Sequence, residues 1–183
     1  WGQADYGSLG IGGDLGQITI GAPALPHPAV DSSNNPITLT DVRTGRYFTL
    51  GLDADNNVWV AGGPSHGGLN TINATYFVPV LFTEDDPWTD METIDVASDH
   101  GCALSTAGVM SCWGDNHYGL LGVGTTDAQT IQFQPGGSGA FVTTTIAVEP
   151  HFPEDAGTVS DMVTSIEHSC AIVGAAGQVY CWG

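Results

Sequence analysis

The stretch that decides the fold is His100-Gly101-Cys102-Ala103-Leu104, which is followed by Cys112-Trp113-Gly114. The same arrangement recurs as His168-Ser169-Cys170-Ala171-Ile172 and Cys181-Trp182-Gly183, and a degenerate copy occupies residues 46–63. A unit that recurs every roughly 50–70 residues is typical of repeat architectures. We therefore treat residues 1–183 as one domain whose repeat units lie at approximately 1–63, 64–114 and 115–183.

Each complete unit predicts a β-hairpin in which two cysteines face each other. Pairing Cys102 with Cys112 leaves a three-residue loop that ends on Gly108, where such loops favour a left-handed residue. Pairing Cys170 with Cys181 leaves a four-residue loop that begins and ends with glycine. Two different loop lengths thus bring the cysteines into the same register, which supports the pairing in both units.

The first unit has lost both cysteines together. Phe48 and Ala61 stand at the equivalent positions, and the loop at 52–57 is rich in turn-forming residues. The joint replacement is expected if the two positions act as a pair.

A glycine-rich stretch follows each hairpin. Residues 2–12 and 114–124 share four glycines, a tyrosine and a leucine at identical places. Short β-type runs precede the hairpins, and no window has a sustained helical period. The pattern predicts an all-β fold made of β-propeller blades. The residues expected to be structural in every unit are His100, His168, Trp113, Trp182, Gly114, Gly119 and Gly122.

These motifs resemble the regulator of chromosome condensation repeat in the form common in bacterial proteins. The shared pattern is His-x-Cys-Ala-Leu, a glycine, Val-x-Cys-Trp-Gly, and then Asn-x-x-Gly-x-Leu-Gly-x-Gly. The family's fold is a seven-bladed propeller, so the resemblance implies about three four-stranded blades of such a ring. Trp1-Gly2 and Trp182-Gly183 are the same point of the repeat, so we expect a segment of a longer array whose remaining blades are partners of this one.

Three stretches exceed what a compact blade needs, namely residues 21–41, 70–93 and 125–160. We expect long loops or added hairpins there, and loops on a rigid scaffold are where binding is usually located. The candidate partner contacts are the aromatic residues Trp59, Trp88 and Tyr76.

The charge of the chain excludes several classes of partner. The formal net charge is −18, because 20 acidic residues are accompanied by only Arg43 and Arg46. Nucleic-acid binding needs a basic surface, and anionic membranes attract one as well. No apolar run approaches the roughly 20 residues of a membrane-spanning helix. The sequence therefore predicts neither nucleic-acid binding nor membrane insertion.

Three interpretations are open for the four cysteines. Their spacings of ten and eleven are too wide for the paired ligands of a zinc finger, which disfavours a metal site. Directly opposed cross-strand positions favour disulfides, and reduced cysteines in the core are the alternative. Disulfides would indicate an extracellular, cell-surface or periplasmic location.

No motif for catalysis, a cofactor or a metal is evident. Residues 53–57 resemble the start of a calcium loop, but Val58 replaces the glycine and Pro64 the glutamate that the loop needs, so a hairpin turn explains them better. His100 and His168 recur with the repeat, which favours a structural role in contact with a neighbouring blade.

The sequence therefore predicts a non-enzymatic, exported binding or adhesion module for a protein or a glycan. Two alternatives remain. One is a regulator that resembles the exchange factors of small GTPases, which was the first function assigned to the family. The other is a repeat region attached to an enzyme elsewhere in a longer chain.

Overall fold

The protein is all-β, and the residues that the structure describes form three sheets in which every strand pair except that of β4 with β10 is antiparallel. The computed structural model describes residues 9–10, 28–46, 48–62, 74–83, 86–87, 89–98, 100–114, 116–126, 133–135, 142–144 and 148–183. No helix long and apolar enough to cross a membrane occurs among these residues.

Each sheet is built around one of the predicted hairpins. Sheet 1 has the order β1 (Asp41–Thr44), β2 (Phe48–Leu52), β3 (Val58–Gly62), β4 (Ala74–Thr83). Sheet 2 consists of β6 (Met91–Val96), β7 (His100–Ser105) and β8 (Met110–Gly114), and sheet 3 of β11 (Val159–Thr164), β12 (Ser169–Val173) and β13 (Gln178–Trp182).

The long inserts extend sheet 1. The short strand β5 (Asp86–Pro87) pairs with β4, and a hairpin of β9 (Phe133–Pro135) and β10 (Val142–Thr144) joins the same strand, with β10 parallel to β4. The insert at 125–160 thus contains an added hairpin, as expected. It also places Val148 beside β8, where Val148 and Cys112 exchange two backbone hydrogen bonds of 2.8 and 2.9 Å. The blades accordingly have three or four strands.

The predicted register of the two cysteine hairpins is confirmed. Cys102 lies opposite Cys112 and Cys170 opposite Cys181. Gly108 has φ +76° and closes the three-residue loop by donating its N–H to the Ser105 carbonyl at 2.9 Å. The glycine is required here because a left-handed backbone is strained for other residues.

The register expected for the first hairpin is wrong by one residue. Phe48 lies opposite Gly62, whereas Ala61 faces Thr49. Asp53 donates its backbone N–H to the Asn57 carbonyl at 3.1 Å, which makes a three-residue loop like that between Ser105 and Val109. Counted from this turn, the residues of sheet 1 that correspond to Cys102 and Cys112 are Leu50 and Val60, which lie opposite each other, and not Phe48 and Ala61.

The same turn occurs twice with the pattern Asp-x-x-Asn-Asn. Asp31–Asn35 and Asp53–Asn57 each carry a left-handed asparagine, at Asn34 and Asn56, with φ 62°. The aspartate side chain accepts backbone N–H groups two and four residues later, at 2.8 Å in the first turn and 2.9 Å in the second. Aspartate and asparagine favour such turns because they bond their own backbone.

Apolar side chains fill the space between neighbouring sheets. One cluster joins sheets 1 and 2 and includes Phe48, Leu50, Ile94 and Trp113. A second joins sheets 2 and 3 and includes Leu104, Met110, Met162 and Val173. Each large aliphatic side chain buried in this way contributes about 1.5–3 kcal/mol. Sheet 2 is covered on both faces, whereas buried residues alternate with more exposed ones along β12, so sheet 3 is covered on one face.

Candidate functional site

Two disulfides close the hairpins of sheets 2 and 3. Cys102 is bonded to Cys112 and Cys170 to Cys181, with Cα–Cα distances of 4.1 Å in both pairs. Of the three interpretations of the four cysteines, the structure agrees with the one in which they form disulfides. Among the described residues, no group of three or more His, Cys, Asp or Glu side chains is placed to hold a metal ion.

The two repeat histidines have different surroundings. His100 is fully buried, and its Nε2 lies 2.9 Å from Oγ of Ser169, so it contacts sheet 3 through a side-chain hydroxyl. His168 is exposed in the loop before β12. The tryptophans differ in the same way, since Trp113 is fully buried between sheets 1 and 2 and Trp182 is half-buried.

A polar contact links the first strands of all three sheets. Asp95 on β6 accepts hydrogen bonds from the backbone N–H (2.6 Å) and the hydroxyl (3.1 Å) of Thr164 on β11. Its other carboxylate oxygen lies 3.5 Å from Nε of Arg43 on β1, which also binds Asp41 at 2.8 Å. Arg43 is one of the two arginines of a chain that has no lysine, and it takes part in this contact.

The glycine-rich turn after sheet 2 is held by a residue that sequence analysis did not single out. Asn116 is fully buried; its Nδ2 donates to the Thr125 carbonyl at 2.9 Å and its Oδ1 accepts the Leu121 N–H at 3.1 Å. The amide thus bridges the two ends of the turn. The signal was its fixed place at the start of the Asn-x-x-Gly motif.

Three glycines shape this turn, and one of them is required by close packing. Gly119, Gly122 and Gly124 have φ values of 80°, 70° and 74°. A Cβ on Gly122 would lie 3.0 Å from the Trp182 indole, whereas the nearest atoms to a Cβ on Gly119 or Gly124 are 3.9 and 4.0 Å away. Gly119 and Gly124 therefore leave their backbone open to the surroundings.

An open cleft lies between the turn and the end of sheet 3. It has a volume of about 640 Å³ and is lined by Tyr118, Gly119, Gly122, Gly124, Thr125, Thr126, Trp182 and Gly183. Tyr118 is 58% exposed, and the Trp182 indole is held in place because its Nε1 donates to the Leu120 carbonyl at 2.8 Å. The lining thus offers aromatic surface, hydroxyl groups and backbone amides, and among the lining residues that the structure describes the Tyr118 phenol is the one ionisable side chain.

Two of the three aromatic residues that were predicted to contact a partner are partly buried in the fold. Trp59 is half-buried and donates its Nε1 to Oδ2 of Asp53 at 2.8 Å. Burial pushes the pKa of Asp53 upward, but hydrogen bonds from Trp59, Asn57 and the backbone outweigh it, so the pKa is lowered. Tyr76 packs against the cluster between sheets 1 and 2, and Trp88 lies outside the described residues.

Comparison with known proteins identifies the same architecture. No family model matches the chain. A curated relative from Dictyostelium discoideum, a bifunctional serine/threonine-protein kinase/NEDD4-like E3 ubiquitin-protein ligase, is 28% identical over 136 residues, which is 70% of this chain and 7% of that protein. The chain therefore spans a small part of the length of that relative.

The solved structures cover more of the chain. Human WBSCR16 matches 98% of it with a TM-score of 0.69 and 18% identity, over 40% of its own length. A chain in the crystal structure of Kap60 bound to yeast RCC1 (Prp20) matches 82% with a TM-score of 0.58 and 14% identity, over 33% of its length. Prp20p of Saccharomyces cerevisiae alone gives a TM-score of 0.53 at 16% identity, over 82% of this chain and 34% of Prp20p. The chain therefore has the fold of the regulator of chromosome condensation propellers, and the three sheets described above are blades of that type.

Proposed function

We propose that this chain is part of an exported, non-enzymatic binding propeller and that the cleft beside Tyr118 and Trp182 takes an uncharged, hydroxyl-rich ligand such as the end of a glycan. The observation that carries the proposal is the cleft itself, with its exposed ring, its open backbone and the uncharged side chains of its described residues. Its volume of about 640 Å³ falls within the range of roughly 300–1,000 Å³ that is usual for small-molecule sites.

The charges of the chain narrow the ligand class. A net charge of −18 repels anions, and none of the described side chains that line the cleft is a carboxylate that would attract a cation. A neutral sugar meets neither obstacle. Its apolar face fits against an aromatic ring, and its hydroxyls match the threonine hydroxyls and the backbone groups of the turn.

The two disulfides support an extracellular, cell-surface or periplasmic location. Disulfides persist in oxidising compartments and are rare in the cytosol. Protein purified from its natural source without reductant should have the intact mass of a chain with two disulfides. Four free thiols in that sample would contradict the proposed export.

Binding to a panel of neutral and charged glycans tests the ligand. We expect neutral glycans to bind and Tyr118→Ala to weaken binding at least tenfold, because Tyr118 is 58% exposed and adds little to the core. Tyr118→Phe keeps the ring and should retain most of the affinity. Val109→Ala, at an exposed position in the β7–β8 turn, is the matched control. Equal binding by Tyr118→Ala and Val109→Ala would contradict the proposed site.

A protein ligand is the second candidate. Prp20p was studied for its binding to Gsp1p and histones, and Prp20 forms a complex with Kap60, so propellers of this fold bind proteins. A role as a regulator of a small GTPase predicts that the chain accelerates nucleotide release from the GTPase of its source organism. Accelerated release without glycan binding would favour this candidate. The Dictyostelium relative, a kinase and ubiquitin ligase, keeps open a third arrangement in which the propeller is attached to an enzyme.

A further inference from the structure

Three histidines border the cleft described above, and two of them adjoin its glycine-rich turn. The His117 imidazole meets the Tyr118 ring edge to face, with the ring centroids 4.8 Å apart and the ring planes at 84°. His151 donates its backbone N–H to the Gly122 carbonyl at 2.9 Å, and its Nδ1 lies 4.0 Å from the place that a Cβ on Gly124 would take. Both histidines therefore touch residues of the cleft lining.

The third histidine borders the opposite wall of the cleft. A Cβ on Gly183 would lie 2.6 Å from the Cα of His168, so the backbones of these two residues are in contact. His117, His151 and His168 are all exposed, whereas His100 is fully buried. Every exposed histidine that the structure describes is therefore beside the cleft.

The position of these histidines matters because the chain has little other positive charge. It contains 20 acidic residues, two arginines and no lysine. Histidine is the side chain that ordinarily gains a positive charge between about pH 8 and pH 5. Acidification in this range therefore adds positive charge around the cleft of a protein that otherwise repels anions.

The other ionisable groups near the histidines do not supply this change. Aspartate and glutamate ordinarily ionise below about pH 5, and the tyrosine phenol near pH 10. Among the described residues, neither His151 nor His168 forms an ion pair with a carboxylate. The ionisable groups that face the histidines or lie close to them in the chain are Tyr118, Glu149, Glu154, Asp155, Glu167 and Tyr180, and Asp115 and Asp127 lie outside the described residues.

We propose that acidification converts the cleft into a site for acidic sugars, in which the imidazolium ions of His117, His151 and His168 attract the carboxylate of a uronic acid. The sugar ring keeps the contact with the aromatic surface that a neutral sugar makes. At neutral pH the imidazoles are uncharged, and the net negative charge of the chain disfavours the uronate. The inference rests on the proposed glycan cleft and adds to it a second ligand class and control by pH.

Pairs of glycans that differ in one group test the inference. Each neutral glycan of the panel is matched with the same glycan whose terminal CH2OH is a carboxylate, and affinities are measured at pH 7.5 and pH 5.5. A neutral Gly-Ser extension after Gly183 keeps a terminal carboxylate away from His168. Because an exposed ion pair changes affinity up to a few-fold, we expect three imidazolium ions to raise the ratio of uronate to neutral affinity about tenfold at pH 5.5 for at least one pair. Addition of 0.5 M NaCl should remove most of this rise.

Variants with fixed charge assign the effect to the three histidines. A triple variant with His117→Gln, His151→Gln and His168→Gln is uncharged at these positions at both pH values and should lose the rise. The corresponding triple lysine variant should show at pH 7.5 the ratio that the wild type shows at pH 5.5. Thermal midpoints at both pH values verify that the variants are folded, as expected for exposed positions.

Three lysines elsewhere are the matched control for net charge. Thr106→Lys, Ala107→Lys and Val109→Lys together add the same charge in the exposed β7–β8 turn, at the end of β8 away from Gly114 and the cleft. This variant should keep the wild-type ratio at pH 7.5. A ratio as high as that of the histidine-to-lysine variant would show that net charge, and not the cleft, attracts the uronate, and would overturn the inference.

The outcomes separate this inference from the proposed function. If neutral glycans bind and the ratio is the same at both pH values, the inference is wrong and the proposed function stands. A rise that persists in the triple glutamine variant also overturns the inference. Uronate binding that needs pH 5.5 and the three histidines, without binding of any neutral glycan, supports the inference and contradicts the neutral ligand. Absence of binding by every glycan at both pH values contradicts both.

Discussion

Removal of the Ser169 hydroxyl should reveal how strongly sheets 2 and 3 are joined. Ser169 is fully buried; its Oγ lies 2.9 Å from Nε2 of the fully buried His100 and donates to the Leu120 carbonyl at 3.4 Å. Ser169→Ala removes a hydrogen-bond partner from the His100 ring and from the Leu120 carbonyl. Because both residues are buried, water does not take the place of the hydroxyl. The loss of a buried partner costs about 1–3 kcal/mol. We expect the free energy of unfolding to fall by about 2 kcal/mol, which lowers the thermal midpoint by about 4–8 °C for a chain of this size.

Urea unfolding of the oxidised protein measures this loss. Ser160→Ala is the matched control in the same sheet, since its exposed hydroxyl donates to the Ile172 carbonyl at 3.3 Å and should contribute less than about 0.5 kcal/mol. If Ser169→Ala changes the free energy of unfolding no more than Ser160→Ala does, the hydrogen bond to His100 is not a significant part of the contact between the sheets, and the reasoning fails.

Substitutions at three further positions test the hairpin turns. The lowered pKa of Asp53 means that its ionised form stabilises the fold above the ordinary value of 3.8 and that this contribution disappears as the pH falls through the lowered folded value. The difference in unfolding free energy between wild type and Asp53→Asn should therefore shrink between pH 6 and pH 2; a constant difference would contradict this. Asn56→Gly should be within about 0.5 kcal/mol of wild type and Asn56→Ala about 1 kcal/mol less stable, because φ is 62°. Equal stabilities of these two variants would exclude a left-handed turn. Gly108→Ala should cost about 2 kcal/mol, since a Cβ there lies 2.6 Å from that of Thr158 in a residue with φ +76°; denaturation midpoints within error of wild type would show that the turn relaxes freely.

The repeat hairpins could be predicted because two independent signals agree on their register. The cysteines oppose each other in loops of different length, and each loop carries glycine where a left-handed residue is needed. The first hairpin lacked both signals, because it has no cysteines and because Asn56 stands where the loop of sheet 2 has Gly108. The pattern Asp-x-x-Asn-Asn at residues 31–35 and 53–57 was the clue in the sequence, since a pattern that occurs twice suggests the same turn twice.

The candidate site was not predictable in the same way. Tyr118 and Trp182 line the same cleft because sheet 3 packs against the turn that follows sheet 2. The hydrogen bond that holds the Trp182 indole joins residues that are 62 positions apart in the sequence. Trp59 shows the opposite case, because a residue chosen as an exposed partner contact directs its polar edge to an aspartate six residues earlier. Exposure depends on tertiary contacts that residue type does not specify.

The loss of both cysteines from sheet 1 shows what the disulfides contribute. Where sheet 2 has two cysteines facing each other, sheet 1 has Leu50 opposite Val60, and both side chains are almost fully buried. The space is filled in both sheets, so filling it is not what requires the disulfide. What sheet 1 lacks is the closure of a short loop, worth about 2.7 kcal/mol in the chain-entropy model. Sheet 1 is also the sheet to which β4 and the hairpin of β9 and β10 are added. We infer that these strands compensate for the missing disulfide, because they tie the same hairpin into a wider sheet through backbone hydrogen bonds.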